Sequence, residues 1–355
     1  MQAKAVSESA NAIHEHAPDP AVGIVVIGRN EGQRLQRCLR SLVGQAPSIV
    51  YVDSGSDDGS TEFARALGVS VIDLDTSIAF TAARARNAGL SQLKDLQQGL
   101  QFVQFVDGDC EIEEGWLPRA VRELRESEDL AVVFGRRRER DREASAYNRL
   151  CDLEWDVPAG SALSCGGDAM MRNAAVTLVG GYNANLIAGE EPDLCLRMRD
   201  EGWHIRCIDA PMTAHDADMH LWSQWWRRSM RAGYVEAEGV AMRGKDYPRY
   251  RAALSSVFWA MAVPVFAALA ISWSIWSGQL LQAGLVMGCC AASYSFLWIR
   301  IFLHASQRWP RSDARLYATS CLLGKWPSAQ GMVLYWCRRL LRRDRGLIEY
   351  KQVQL

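Results

Sequence analysis

The sequence predicts an α/β fold, a mostly parallel sheet with helices on both faces, followed by apolar helices in the C-terminal third. Two observations carry this. Across residues 21–203, short apolar runs alternate with stretches of helical period, the signature of repeated strand–helix units. Residues 254–299 then hold no charged side chain. They divide at Ser277, Gly278 and Gln279 into runs at 254–276 and 280–299, each about long enough to cross a ~30 Å hydrocarbon layer as a helix.

The elements follow in order. Residues 22–27 are continuously apolar and read as a buried strand, and an amphipathic helix begins at Arg34. Further strands are expected at 49–52, 69–74 and 102–106, with helices at 59–67 and 81–93. Ligands on such sheets bind beyond the carboxyl ends of the strands. Asp53 and Asp107 fall there. Residues 1–20 are polar, lack an apolar h-region and read as a flexible tail. The expected division is therefore a tail at 1–20, a catalytic domain at 21–240 and a membrane region at 241–355. In that region Pro264 is expected to kink the first span. A further apolar segment at 316–336, interrupted by Lys325 and Pro327, suits a re-entrant or interfacial position. Cations precede the first span (Arg243, Lys245, Arg249) and follow the second (Arg300, Arg308, Arg311), while the turn between them has none. This bias puts both flanks and the basic tail, with Arg338, Arg342 and Arg345, in the cytoplasm. A pair of buried core helices is the competing reading of the apolar runs.

Bulk composition excludes some classes. The 355 residues carry 40 Lys+Arg against 41 Asp+Glu, a balance unlike that of a general nucleic-acid binder. Ten cysteines occur without a CxxC pair, so they read as reduced thiols of a cytosol-facing protein rather than a disulfide framework or zinc site.

Several clusters can carry chemistry. Asp107-Gly108-Asp109 ends the fourth strand, and two carboxylates around a glycine can present oxygens to Mg2+ or Mn2+. The stretch from Asp53 through Ser60 is either a turn capping the next helix, with Asp58 or Ser60 near the cap, or a nucleotide contact through Asp53. Glu190 and Glu191 precede Pro192, expected at the first position of a helix running to Asp200, and a carboxylate there suits a general base. Asp193 is expected to pair with Arg197. Gln224 and Arg227 lie three apart on an expected helix, where they could clamp a diphosphate; Trp222, Trp225 and Trp226 suit an aromatic belt or an acceptor contact. Residues 135–140, rich in arginine, read as a solvated face or an anion cradle. His215 stands alone.

Taken in order, these motifs resemble the family 2 glycosyltransferases of GT-A fold, a Rossmann-like architecture. The likeness spans about residues 22–228. It rests on Arg29-Asn30-Glu31, Val52-Asp53-Ser54-Gly55-Ser56, Ala85-Arg86-Asn87-Ala88-Gly89, Asp107-Gly108-Asp109, Gly189-Glu190-Glu191 and Gln224-Trp225-Trp226-Arg227. The resemblance implies nucleotide-sugar contacts from Arg29, Glu31, Asp53, Arg86, Asp107, Gly108, Asp109, Gln224 and Arg227. It implies a cation, Mn2+ or Mg2+, on Asp109 and His215 with Asp107 nearby, and a catalytic base at Glu191 or Glu190. The loop with Gly166, Gly167 and Asp168 would face the acceptor, as would Trp225. Ser54, Glu191 and Arg228 depart from the commoner Asp, Asp and Trp. The last of these, with two clear spans, favours single transfer over processive polymer synthesis. The expected function is inverting transfer from a UDP- or GDP-sugar to a lipid-linked saccharide or polyprenyl phosphate, for envelope glycan or exopolysaccharide. The site would lie on the cytoplasmic face of the inner (plasma) membrane, against membrane lipids, with no nucleic-acid partner. A nucleotidyltransferase would need a phosphate loop that residues 28–32 do not supply. A non-catalytic export component with a vestigial site is the remaining alternative.

Overall fold

A computed structural model describes residues 18–78 and 80–341. Most of the expected tail at 1–20, and Arg342, Arg343 and Arg345 of the basic tail, lie outside the described residues. The first half of the fold is β1 (Val22–Gly28), α1 (Gln33–Leu42), β2 (Ser48–Asp53), α2 (Ser60–Ala66), β3 (Ser70–Asp73), α3 (Ala82–Leu96) and β4 (Phe102–Asp107). All of β1 is buried, as a strand covered on both faces must be. On α1, Leu35, Cys38, Leu39 and Leu42 form the buried stripe at helical spacing. Thr81 caps α3, its hydroxyl accepting the Arg84 N–H at 3.1 Å. A Cβ on Gly89 of α3 would lie 2.4 Å from a Val25 methyl, so glycine lets this helix settle close against the sheet.

The second half is β5 (Cys110–Ile112), α4 (Trp116–Glu126), β6 (Leu130–Glu139), α5 (Ala146–Trp155), β7 (Gly160–Ser161), β8 (Ala169–Arg172), α6 (Asn173–Leu178), α7 (Glu190–Asp200) and β9 (His204–His215). The sheet order is β3-β2-β1-β4-β8-β6-β9-β5, with β7 also on β9. The strands from β3 to β4 are parallel as expected. Beyond them the sheet is mixed. β8 runs antiparallel to both β4 and β6, β6 and β9 are parallel, and β5 and β7 lie antiparallel on β9. Helix α7 begins at Glu190, so Pro192 is its third residue rather than its first. Proline lacks only an N–H that no first-turn residue can pair within the helix.

The C-terminal helices are α8 (Trp222–Arg243), α9 (Tyr250–Val257), α10 (Val263–Trp276), α11 (Leu280–Ala305), α12 (Arg311–Leu323) and α13 (Lys325–Leu340). A π-helical turn at Phe258–Ala262 joins α9 to α10 just ahead of Pro264, making one helix, Tyr250–Trp276. The ring of Pro264 removes a helical hydrogen bond and crowds the preceding turn, where the widened turn sits. This helix and α11 are long and apolar enough to cross a membrane. They are not core helices: Phe266, Trp276 and Leu281 are 72%, 79% and 80% exposed. The apolar segment at 316–336 is broken at Gly324 into α12 and α13. Helix α13 lies against α8 so closely that a Cβ on Gly331 would meet the Met230 carbonyl and one on Gly233 the Ser328 carbonyl. The expected boundary at 240 thus falls inside α8, a helix already packed on the C-terminal region.

Candidate active site

The short strand β5 assembles the first part of the site. It pairs with the end of β9 so that Cys110 lies opposite His215. Asp109 thereby meets a histidine more than a hundred residues away, its Oδ2 3.3 Å from His215 Nε2, both nearly buried. The Cys110 thiol joins them, the three donor atoms lying within 4.8 Å of one another. Glu139 Oε2 stands 3.7 Å from His215 Nδ1, and Trp155 packs on the ring at 4.4 Å. Burial alone would lower the His215 pKa; the Asp109 and Glu139 carboxylates reverse this and hold it above its ordinary value. A carboxylate and an imidazole nitrogen, with a second carboxylate behind the ring, form a donor set that fits a divalent cation.

Arg86 of α3 organises the second part. Its guanidinium, 2% exposed, reaches Asp107 Oδ1 at 2.7 Å, Glu190 Oε1 at 2.7 Å and Glu191 Oε1 at 3.4 Å, and packs over Tyr182. Burial and the adjacent Glu190 charge push the Glu191 carboxyl up to about 7, against the pull of Arg86. Glu190 and Glu191 lie in the first turn of α7. Gly167 closes this knot: a Cβ there would fall 2.2 Å from Asp107 Oδ2 and 2.8 Å from Arg86 Nη2. Gly166 beside it faces Arg137, and Gly108 sits over the Ile27 carbonyl.

Several expected site residues have other immediate partners. Asp168 has no exposed surface. Its carboxylate accepts the Asp107 N–H at 2.8 Å and the Thr213 hydroxyl at 2.9 Å, and pairs with Arg137 at 2.9 Å. It orients Asp107 from below and presents nothing to the solvent side, contrary to an acceptor contact. Asp53 is also buried, accepting from the Tyr51 hydroxyl and from the Gly55 and Ser56 N–H groups. Asn30, with φ 53°, and Asp58 tie this loop to the turn after β1: Asn30 N–H donates to Ser56 Oγ, Asp57 N–H to Asn30 Oδ1, and Gly32 N–H to Asp58 Oδ2. Arg29 lies in that turn, and Glu31 pairs with Arg34 at 2.9 Å. Gln224 is buried, whereas Arg227 is exposed. The Gln224 carboxamide accepts the His220 and Leu221 N–H groups, both at 2.8 Å, and so caps α8. Trp225 is buried against Trp222 and Trp226. Asp193 pairs with Arg197 at 2.8 Å, as the helical spacing requires.

Sequence reasoning missed Arg137, Glu139 and Cys110. The solvated-face reading of 135–140 fails for Arg137 and Glu139 because residues 135–139 lie on β6. Strand alternation puts Gly135, Arg137 and Glu139 on one side and Arg138 on the other; Arg138 is exposed, as is Arg140 just past the strand end. The period of two within the charged run was the available signal.

A cleft of about 700 Å³ opens beside Glu190 and Glu191 and continues between α5, α8, α9, α12 and α13.

Comparison with known proteins places this geometry. Residues 23–163 match the model of Glycosyl transferase family 2. The glycosyltransferase AglE of Haloferax volcanii is 30% identical over 110 residues, 29% of this chain and 34% of that protein. The pre-mycofactocin glycosyltransferase of Mycobacterium tuberculosis is 28% identical over 239 residues, 63% of this chain and 48% of its own length. The chain thus spans between a third and a half of these curated relatives. Among solved structures, a Pyrobaculum calidifontis mannosyltransferase, PcManGT, in complex with GDP-Man and Mn2+ superposes with a TM-score of 0.53 at 18% identity over 89% of each chain. The fold is GT-A, and the N-terminal part of the chain, residues 23–163, is similar to the family 2 glycosyltransferases.

Proposed function

We propose that this protein is an inverting, metal-dependent glycosyltransferase that moves a sugar from a UDP- or GDP-linked donor to a membrane-associated, lipid-linked acceptor. The observation that carries the reading is Arg86, one buried guanidinium holding the strand-end Asp107 and the Glu190–Glu191 pair together. In this reading Glu191 takes the proton from an acceptor hydroxyl as that oxygen attacks the anomeric carbon, opposite the departing diphosphate. A carboxyl pushed up to about 7 is matched to that task near neutral pH. Glu190, in the closer ion pair with Arg86, orients the guanidinium. Asp107 faces the ribose. Asp109 and His215 would hold Mn2+ or Mg2+, which supplies charge neutralisation for the leaving diphosphate; Glu139 sets the imidazole from behind. The relative of this fold solved with GDP-Man and Mn2+ supports that choice of ligands.

The membrane assignment rests on the two long apolar helices and their exposed side chains. The catalytic domain is read as passing into the membrane region within α8, near residue 240, with the catalytic side in the cytoplasm at the plasma membrane. The test uses the full chain in detergent with membrane lipid extract and a panel of nucleotide-sugars, reading nucleoside diphosphate release. One donor should support Mn2+-dependent release, and Asp109→Ala should lower it by about 100-fold or more. Release undiminished in Asp109→Ala removes the metal assignment. No release from any donor favours a membrane assembly component instead.

A further inference from the structure

The cleft beside Glu191 does not stop at the proposed base. Arg228 and Arg231 of α8, Arg249 ahead of α9 and Lys325 at the start of α13 line its far side, with Glu154 and Glu236 as the acidic members. Both carboxylates are already engaged, Glu154 by Arg228 and Glu236 by Arg249 at 2.7 Å. Among the described residues no carboxylate forms an ion pair with Lys325. On this far side four cations face two carboxylates, with Glu190 and Glu191 at the inner end, and burial lowers the Lys325 pKa against the weaker pull of Cys321 and Glu236, a penalty that a bound anion relieves. Ala252 and Ser256, also in this wall, belong to the first turns of the candidate span Tyr250–Trp276. Next along the same helix, Leu254, Val257 and Met261 line an apolar groove of about 320 Å³ together with Met332 and Trp336 of α13. A cleft lined by cationic side chains and an apolar groove thus lie on neighbouring faces of one helix.

We infer that this cleft is the acceptor headgroup subsite, with the Lys325 ammonium binding the phosphate of a lipid-linked saccharide whose hydroxyl reaches Glu191 and whose lipid chain follows the helix Tyr250–Trp276. The assignment rests on the transferase reading, with Glu191 at the inner end of the same cleft. It gives Lys325, which interrupts an otherwise apolar segment, a function: it binds the acceptor and takes no part in donor binding or proton transfer.

The test is equilibrium binding to the full chain in detergent, with farnesyl phosphate, farnesol and inorganic phosphate as probes. UDP and GDP with Mn2+ are measured in parallel. Farnesyl phosphate should bind at least about 10-fold more tightly than either farnesol or inorganic phosphate, since only it fills both parts. Lys325→Gln should weaken farnesyl phosphate by about 10- to 100-fold, the usual weight of one charge-assisted contact, and leave farnesol and nucleotide binding alone. Lys325→Arg should restore most of it. As a measure that needs no variant, farnesyl phosphate but not farnesol should slow acetylation of Lys325, read by mass spectrometry. The inference is overturned if farnesol binds as tightly as its phosphate, if Lys325→Gln binds farnesyl phosphate normally, or if acetylation is not slowed. Inorganic phosphate binding as tightly as farnesyl phosphate would also overturn it, pointing to a soluble phosphate ligand. Nucleotide binding without farnesyl phosphate binding sinks the subsite alone, whereas absence of nucleotide binding sinks the transferase reading.

Discussion

Replacing Glu191 by glutamine separates catalysis from stability. The Glu191 carboxyl titrates at about 7 in the folded protein, raised from an ordinary 4.5 by burial and by Glu190. Between these values the folded chain keeps a proton that the unfolded chain releases, so stability falls as pH rises through the window and the full penalty applies above it. The shift corresponds to about 3 kcal/mol. Glutamine never ionises, so Glu191→Gln escapes this penalty. Relative to the parent protein it should gain about 3 kcal/mol on going from pH 4.5 to pH 8, roughly 4 °C in melting temperature. Turnover should meanwhile drop by about 10²- to 10⁴-fold, the usual weight of a general base. The parent enzyme itself should work at about one-tenth of its plateau at pH 6, where Glu191 is mostly protonated. Thermal unfolding of the detergent-solubilised chain, followed by tryptophan fluorescence across this pH range, and nucleoside diphosphate release measure the two effects. A melting-temperature difference that does not change with pH, together with retained turnover, would refute both the buried-carboxyl argument and the assignment of the base.

Two further perturbations probe the supporting groups. Glu139→Gln removes the charge behind the His215 ring; the Mn2+ concentration for half-maximal activity should rise by about 10- to 100-fold while activity at saturating Mn2+ recovers, as a metal titration would reveal. Gly167→Ala drives a methyl group into Asp107 and Arg86; it should lower kcat/KM by at least about 10-fold and stability by about 1–3 kcal/mol, and an unaltered kcat/KM would show that the Asp107–Arg86 contact is dispensable.

Much of this molecule was legible from its residues. The strands β1, β2 and β4 are long apolar runs, and each helix between them carries a periodic buried stripe, so the first half of the sheet could be read directly. The strands β5, β7 and β8 have three, two and four residues, too few to show a period, which is why the mixed half of the sheet was not foreseen. The start of α7 was misjudged by two residues because proline is tolerated throughout a first helical turn. Gln224 was assigned to a ligand, but a carboxamide at the third position of a helix also caps it, and that local bond is the one formed.

The sequence by itself determined the strand-end positions of Asp53 and Asp107, the acidic pair at the head of a helix, and two stretches too apolar for water. These follow from local pattern, since periodicity and helix-start signals act over a few residues. Only the tertiary structure decided which of these groups meet. The pairing of Cys110 with His215 across β5 and β9 builds the Asp109 site. The reach of Arg86 between Asp107 and the glutamates depends on how closely α3 packs on the sheet, which Gly89 allows. Such contacts join residues far apart in the chain, and no local propensity records them. Burial then gives the carboxyl of Glu191 an acidity that its position in the sequence does not reveal.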